Sequence, residues 1–178
     1  NREIYRNRKQ YFSLNIQVVG NYDLKIQNIV ARWPGSTHDA FIFDNSNIKN
    51  RMERGEFYPG TLLGDAGYKL ETFMLTPFRN PLTDEERYFN LCHIKTRNSV
   101  ERLFGVWKNR FPCLQFGLRT KIQTTMPVIV ACAVLHNICI NNRDALPDDN
   151  DPEVELNIQR AIDVNEDLRG IQSNNRRA

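Results

Sequence analysis

The sequence predicts an α/β domain, a mixed sheet flanked by helices, over residues 1–143. Three observations predict it. Residues 11–19, YFSLNIQVV, alternate apolar and polar side chains, with Phe12, Leu14, Ile16 and Val18 on one face; that period of two is a strand. A second apolar stretch, KIQNIVARW at 25–33, follows after the short polar turn NYD, which argues an antiparallel hairpin. A short, wholly apolar run then leads into Asp65, and long helical patterns follow it. Strands first, then a buried strand feeding helices, is the order of a mixed sheet covered by helices.

The elements follow in order. Pro34-Gly35-Ser36 breaks the second strand, and Ser36 or Thr37 can cap a helix that starts near His38 and runs to about Gly55. Residues 61–64 read as a short central strand ending at Asp65, and 69–75 as a helical turn. TPFRNPLTDEER is a proline-punctuated loop. A helical tract follows from about Asp84 to Phe111, with an interruption near His93. Its Val100, Leu103, Phe104, Trp107 and Phe111 form an apolar stripe at helical spacing. The apolar stretch at 126–135 is shorter than the about 20 residues a bilayer requires, so residues 127–141 read as a buried helix of a soluble protein. From Asp144 the chain turns polar: 144–178 is expected to be an acidic, partly disordered tail, with a weak amphipathic stretch at 154–168.

Composition excludes several classes. With 40% hydrophobic and 25% charged residues among 178, this is ordinary globular material with enough chain for one core. The first ten residues, NREIYRNRKQ, are polar and basic and carry no secretory signature, so the chain reads as part of something longer. Cys92, Cys113, Cys132 and Cys139 form no CxxC pair and sit in or beside apolar runs, which suits a reduced, intracellular protein. Cys132, His136 and Cys139 share one helical face, best read as a packing face around a structural histidine; the alternative is a metal site, for which zinc would need a fourth ligand or water from elsewhere. The net charge of +3 is unevenly spread. Residues 144–178 hold nine acids against four bases, whereas 1–143 hold twenty bases against twelve acids. A basic domain of this kind suits a polyanionic partner, nucleic acid above all.

The candidate site is built on two carboxylates. In LLGDAGY an aspartate ends an apolar run between glycines. Burying a carboxylate is costly unless something positive meets it, so Asp65 either caps a turn or holds a cation. In TRNSVERLFGVWKNRF, Glu101 lies beside the core stripe, with Gly105 one turn later and Arg97 and Lys108 nearby. It could serve as an ordinary surface ion pair. The spacing adds weight to the other reading: 35 residues separate a strand-end aspartate from a helical glutamate, the second half of a three-carboxylate DDE arrangement. Phosphodiester cleavage calls for carboxylates that hold divalent ions about 4 Å apart, and Mg2+ or Mn2+ takes such oxygen ligands. Arg6, Arg8 and Lys9 before the first strand, and Arg97, Arg102 and Lys108 around Glu101, could neutralise phosphates without reading bases. Trp33 and Trp107 read as core.

RNRKQYFSLNIQVV, ARWPGSTHDAFIF, LLGDAGY, LTPF and RNSVERLFGVWKNRF occur in the order in which they stand in the PIF/Harbinger transposases, and the resemblance covers residues 5 to about 141. It implies an RNase H-like fold, with Asp65 as the second catalytic aspartate and Glu101 as the catalytic glutamate. It implies a metal-dependent DNA endonuclease, with possible strand transfer, and a nuclear protein that is also found in the cytoplasm. A Myb/SANT-like protein would then supply sequence-specific DNA reading. The family's first aspartate stands on a core strand before the RNRK segment, ahead of Asn1. On this reading the stretch binds DNA weakly and does not cut it alone. His38 and Asp39, in GSTHDA, are expected beside the site or at a helix start. The rival reading is a domesticated, non-catalytic chromatin or protein-interaction module on the same fold. A general RNA-processing enzyme of that fold does not fit the linked motifs.

Overall fold

The computed structural model describes residues 3–7 and 10–147. A single 3-10 turn, Glu3–Tyr5, leads into β1 (Leu14–Gly20) and β2 (Ile26–Pro34). The two pair antiparallel, with Leu14 opposite Pro34, Val18 opposite Ile29 and Gly20 opposite Ile26, as the period of two predicts. At the turn Leu24 adopts a left-handed conformation, φ 59°. A non-glycine residue there costs about 1–2 kcal/mol. Two features hold it in place: its side chain is buried, and its carbonyl accepts a hydrogen bond from His136 Nε2 at 2.7 Å.

The expected helix from His38 to Gly55 is two helices, α1 (Asp39–Asp44) and α2 (Asn47–Glu53). Ser46 makes the break. Its hydroxyl donates to Phe43 O at 2.6 Å and accepts from Lys49 N, ending one helix and capping the next. Neither Ser36 nor Thr37 caps α1, whose N-cap is His38; the Ser36 hydroxyl instead donates to Ile4 O.

The strand before Asp65 is β3 (Leu62–Leu63), and it pairs in parallel with β4 (Met74–Leu75). The expected helical turn at 69–75 is therefore a loop ending in a strand. Met74 is buried among Phe43, Ile48 and Met52, and the Glu71 carboxylate reaches Lys49 of α2 at 3.1 Å. Tertiary anchors at both ends outweigh the weak local helical preference. Among the described residues the strands form two separate two-stranded sheets, not the one mixed sheet expected.

α3 (Asp84–Arg110) runs 27 residues without the expected break near His93. Thr83 and Glu86 form a reciprocal capping box at its start. His93 Nε2 donates to Leu75 O at 3.2 Å, tying the helix to β4. A short α4 (Cys113–Phe116) precedes α5 (Ile122–Asn141). The main core joins β1 and β2 to α3 and α5 through Leu24, Ile26, Leu103, Val106, Trp107 and Ile129. Fully burying such a side chain stabilises by about 1.5–3 kcal/mol. α5 is not buried throughout, as its sequence suggested. Ile129, Cys132, Ala133 and His136 face the core, while Val130, Val134, Leu135 and Ile138 face outward. By length and composition alone this helix is apolar enough to cross a membrane.

Candidate active site

Asp65 leaves the end of β3 into the turn Asp65-Ala66-Gly67. Its Oδ1 accepts a hydrogen bond from Gly67 N at 2.7 Å, so one carboxylate oxygen orients the turn. Gly64 permits this path: a Cβ there would stand 2.8 Å from Met74 Sδ and 3.0 Å from the Tyr68 ring. Arg79 Nη2 donates to Ala66 O at 2.9 Å and pins the turn from the other side.

The turn forms one wall of a cleft of about 510 Å³, and His38 and Asp39 form the other. Asp39 sits in the first turn of α1 but does not cap it. Its Oδ1 accepts from Asn15 Nδ2 of β1 at 2.6 Å, and the same amide nitrogen donates to Thr37 O at 2.9 Å. Asn15 thus fixes the start of α1 against the sheet and aims Asp39 at the cleft it shares with Asp65.

Glu101 lies on α3, half-buried and paired with Arg97, Nη2 to Oε1 3.2 Å, one turn earlier. It is not part of the cleft lining. Tyr68 lies within electrostatic reach of Asp39, Asp65 and Arg97. Its ring packs edge-on to Phe43 at 5.8 Å. Burial, then the charges of Asp39 and Asp65, push its phenol up to about 12, while Arg97 pulls the other way. Its O–H therefore stays protonated across the physiological range.

The predicted site residues are thus brought together in part. His38, Asp39 and Asp65 share one cleft, and Arg97 and Glu101 form a neighbouring pair. Arg6 pairs with Glu3 at 2.8 Å and lies over the Phe12 ring. Arg102 and Lys108 are exposed further along α3. Arg8 and Lys9 lie outside the described residues. Tyr68, Asn15 and Arg79 were not singled out from sequence. Only Tyr68 carried a signal, its place in LLGDAGY.

The donors are all carboxylate oxygens, the chemistry that suits Mg2+ or Mn2+. Among the described residues no three His, Cys, Asp or Glu side chains group closely enough to hold a metal ion. Asp65 and Glu101 complete no such group among the described residues.

The chain is a mixed α/β domain in which Asp65 follows the end of β3 and shares a cleft with Asp39. The chain belongs to the DDE superfamily endonucleases, whose profile matches residues 1–137. It is 30% identical over 173 residues to the protein titled "Putative nuclease HARBI1" of Homo sapiens, covering 92% of this chain and 50% of that one. The protein of the same title from Rattus norvegicus is 33% identical over 141 residues, covering 78% and 40%. "Protein ALP1-like" of Arabidopsis thaliana is 25% identical over 162 residues, covering 83% and 40%. The chain spans about half the length of the curated relatives it matches. No solved structure matches it.

Proposed function

We propose that this chain carries most of the catalytic domain of a metal-dependent DNA endonuclease of the Harbinger type, on an RNase H-like fold. The observation that carries the reading is Asp65. It ends a strand in a glycine-flanked turn, shares an open cleft with Asp39, and lies in a chain of the DDE endonuclease family. β1 pairs only with β2, and β3 only with β4, so each has an edge without a partner among the described residues.

Asp65 and Glu101 would hold the divalent ion, which supplies charge stabilisation on the phosphate oxygens when bound. This chain's own residues prepare the place. Gly67 N–H fixes the Asp65 carboxylate, and Arg79 holds the turn that carries it. Arg97 holds Glu101 in an ion pair, with which a divalent ion bound there would compete. The exposed bases of α3 receive the DNA backbone. Strand transfer, a Myb/SANT-like partner that reads sequence, and a nuclear location belong to the same reading.

A second reading is a non-catalytic chromatin or protein-interaction module. It is favoured by the engagement of Glu101 with Arg97 and by the lack of a complete ligand group among the described residues. Plasmid nicking by the full-length protein in Mg2+ or Mn2+ separates the two. The nuclease reading expects metal-dependent nicking that Asp65→Ala and Glu101→Ala each abolish while DNA binding persists. No nicking with either metal, or nicking that survives Asp65→Ala, decides for the module.

A further inference from the structure

On the other side of the β1 start lies a groove of about 1060 Å³, larger than the roughly 300–1,000 Å³ of small-molecule sites. Leu14 and Ile16 form part of it, whereas Asn15 between them holds Asp39. The groove therefore begins one strand position from the cleft, on the opposite face of β1. Its rim carries aromatic rings that the fold leaves in solvent. Tyr11 and Phe12 are each 56% exposed and Phe116 is 82% exposed. Among the described residues no acidic side chain lines it. From Arg102 to Arg143, the segment that supplies most of its walls, there are six bases and no acid. Among these, Lys108 lines the groove over the Phe104 ring at 5.9 Å, and Arg119 and Lys121 flank the lining residue Thr120.

Exposed rings with cations between them and no carboxylates suit a strand whose bases are unpaired. Each base can stack on a ring while its phosphate meets a lysine or arginine. A duplex keeps its bases stacked inside and could use only the cations. Lys108 stands seven residues beyond Glu101, roughly 10 Å along α3 at 1.5 Å per residue. A strand parted near the carboxylates could reach the groove within a few nucleotides.

We propose that this groove binds single-stranded DNA, stacking its bases on Tyr11 and Phe116 and its backbone against Lys108 and Lys121. The proposal deepens the nuclease reading and rests on it for its DNA substrate. Its test is kept apart by measuring binding without cleavage. The full-length protein is titrated in EDTA against a labelled oligothymidylate strand and against a duplex of the same length, with fluorescence anisotropy as the signal. Loss of stacking is expected to weaken strand binding by about fivefold or more for Tyr11→Ala and for Phe116→Ala, as one stacked base implies. Phe116→Trp should keep wild-type strand affinity, and duplex binding should change by less than about twofold in all three. Circular dichroism confirms that each variant folds. Unchanged strand binding in both alanine variants overturns the proposal, as does equal weakening on strand and duplex. Because no step requires cutting, a protein that never nicks can still show the stacking pattern. A protein that nicks can equally lack it.

Discussion

At the scale of single residues, the turn after β3 rests on contacts that leave little room for change. Gly64→Ala would force a Cβ into Met74 Sδ and the Tyr68 ring. We expect a loss of about 1–3 kcal/mol in stability, measured by chemical denaturation, and a larger proportional loss of any nicking because the Asp65 turn moves with it. Tyr68→Phe is the complementary probe. It keeps the ring against Phe43 and removes only the O–H set among Asp39, Asp65 and Arg97. Stability should change by about 1 kcal/mol or less, while the metal concentration for half-maximal nicking should rise. An unchanged metal requirement would show that the hydroxyl does not organise the carboxylates.

At the scale of elements, the helices hold the strands through side chains that stand in for a neighbouring strand. Asn137 of α5 does this most completely. Its Oδ1 accepts from Ile26 N at 2.9 Å, and its Nδ2 donates to Ile26 O at 2.8 Å. Asn137→Ala strands both backbone groups of a buried residue, so a destabilisation of about 2–4 kcal/mol is expected by thermal unfolding. Asn137→Asp should be as harmful, since it loses the donor and sets a negative charge against a carbonyl. A melt unchanged in either variant would show that the clasp is dispensable. Such clasps also mark where sequence patterns stop being informative. The β1–β2 hairpin was readable because a period of two covers a whole strand and its turn is local. The α3 stripe from Val100 to Phe111 was readable for the same reason, as a repeat within one element. β4 was not, because two residues hold no period and their pairing is set by the burial of Met74 and by the Leu75 carbonyl bond to His93. The Ser46 break was missed because a serine within a helical pattern reads alike whether it caps or is merely tolerated. Asp65 and Glu101 were singled out in the sequence from their local context and their 35-residue spacing. The meeting of Asp39 with Asp65 depends on Asn15, 24 residues from Asp39, and no local pattern reports it.

At the scale of the whole molecule, pH bears on the joint between α5 and the hairpin. His136 is fully buried, and burial first, then Arg110, lower its affinity for a proton, against the Leu24 carbonyl, which raises it. Nε2 must carry a hydrogen to meet that carbonyl, and Nδ1 has no hydrogen-bond partner among the described residues. The folded state therefore resists protonation, while the unfolded ring takes a proton near its ordinary value of 6.5. Below that value the unfolded state binds more protons, so stability falls as pH drops from about 7 to about 5. Thermal unfolding across that range should show the decline, and His136→Gln, which can still donate to Leu24 O, should flatten it. An identical slope in the variant would place the acid sensitivity elsewhere.

α5 also has a practical consequence. It contains no charged residue, and Val130, Val134, Leu135 and Ile138 form an outward ridge. Salts that strengthen apolar association act on such ridges before they disturb a core. The domain should leave solution early in an ammonium sulfate fractionation and elute late from a phenyl-substituted resin. Val134→Lys should move both behaviours toward those of an ordinary polar surface while leaving the melting temperature close to unchanged. Anyone preparing this protein at high concentration would do well to begin with that substitution.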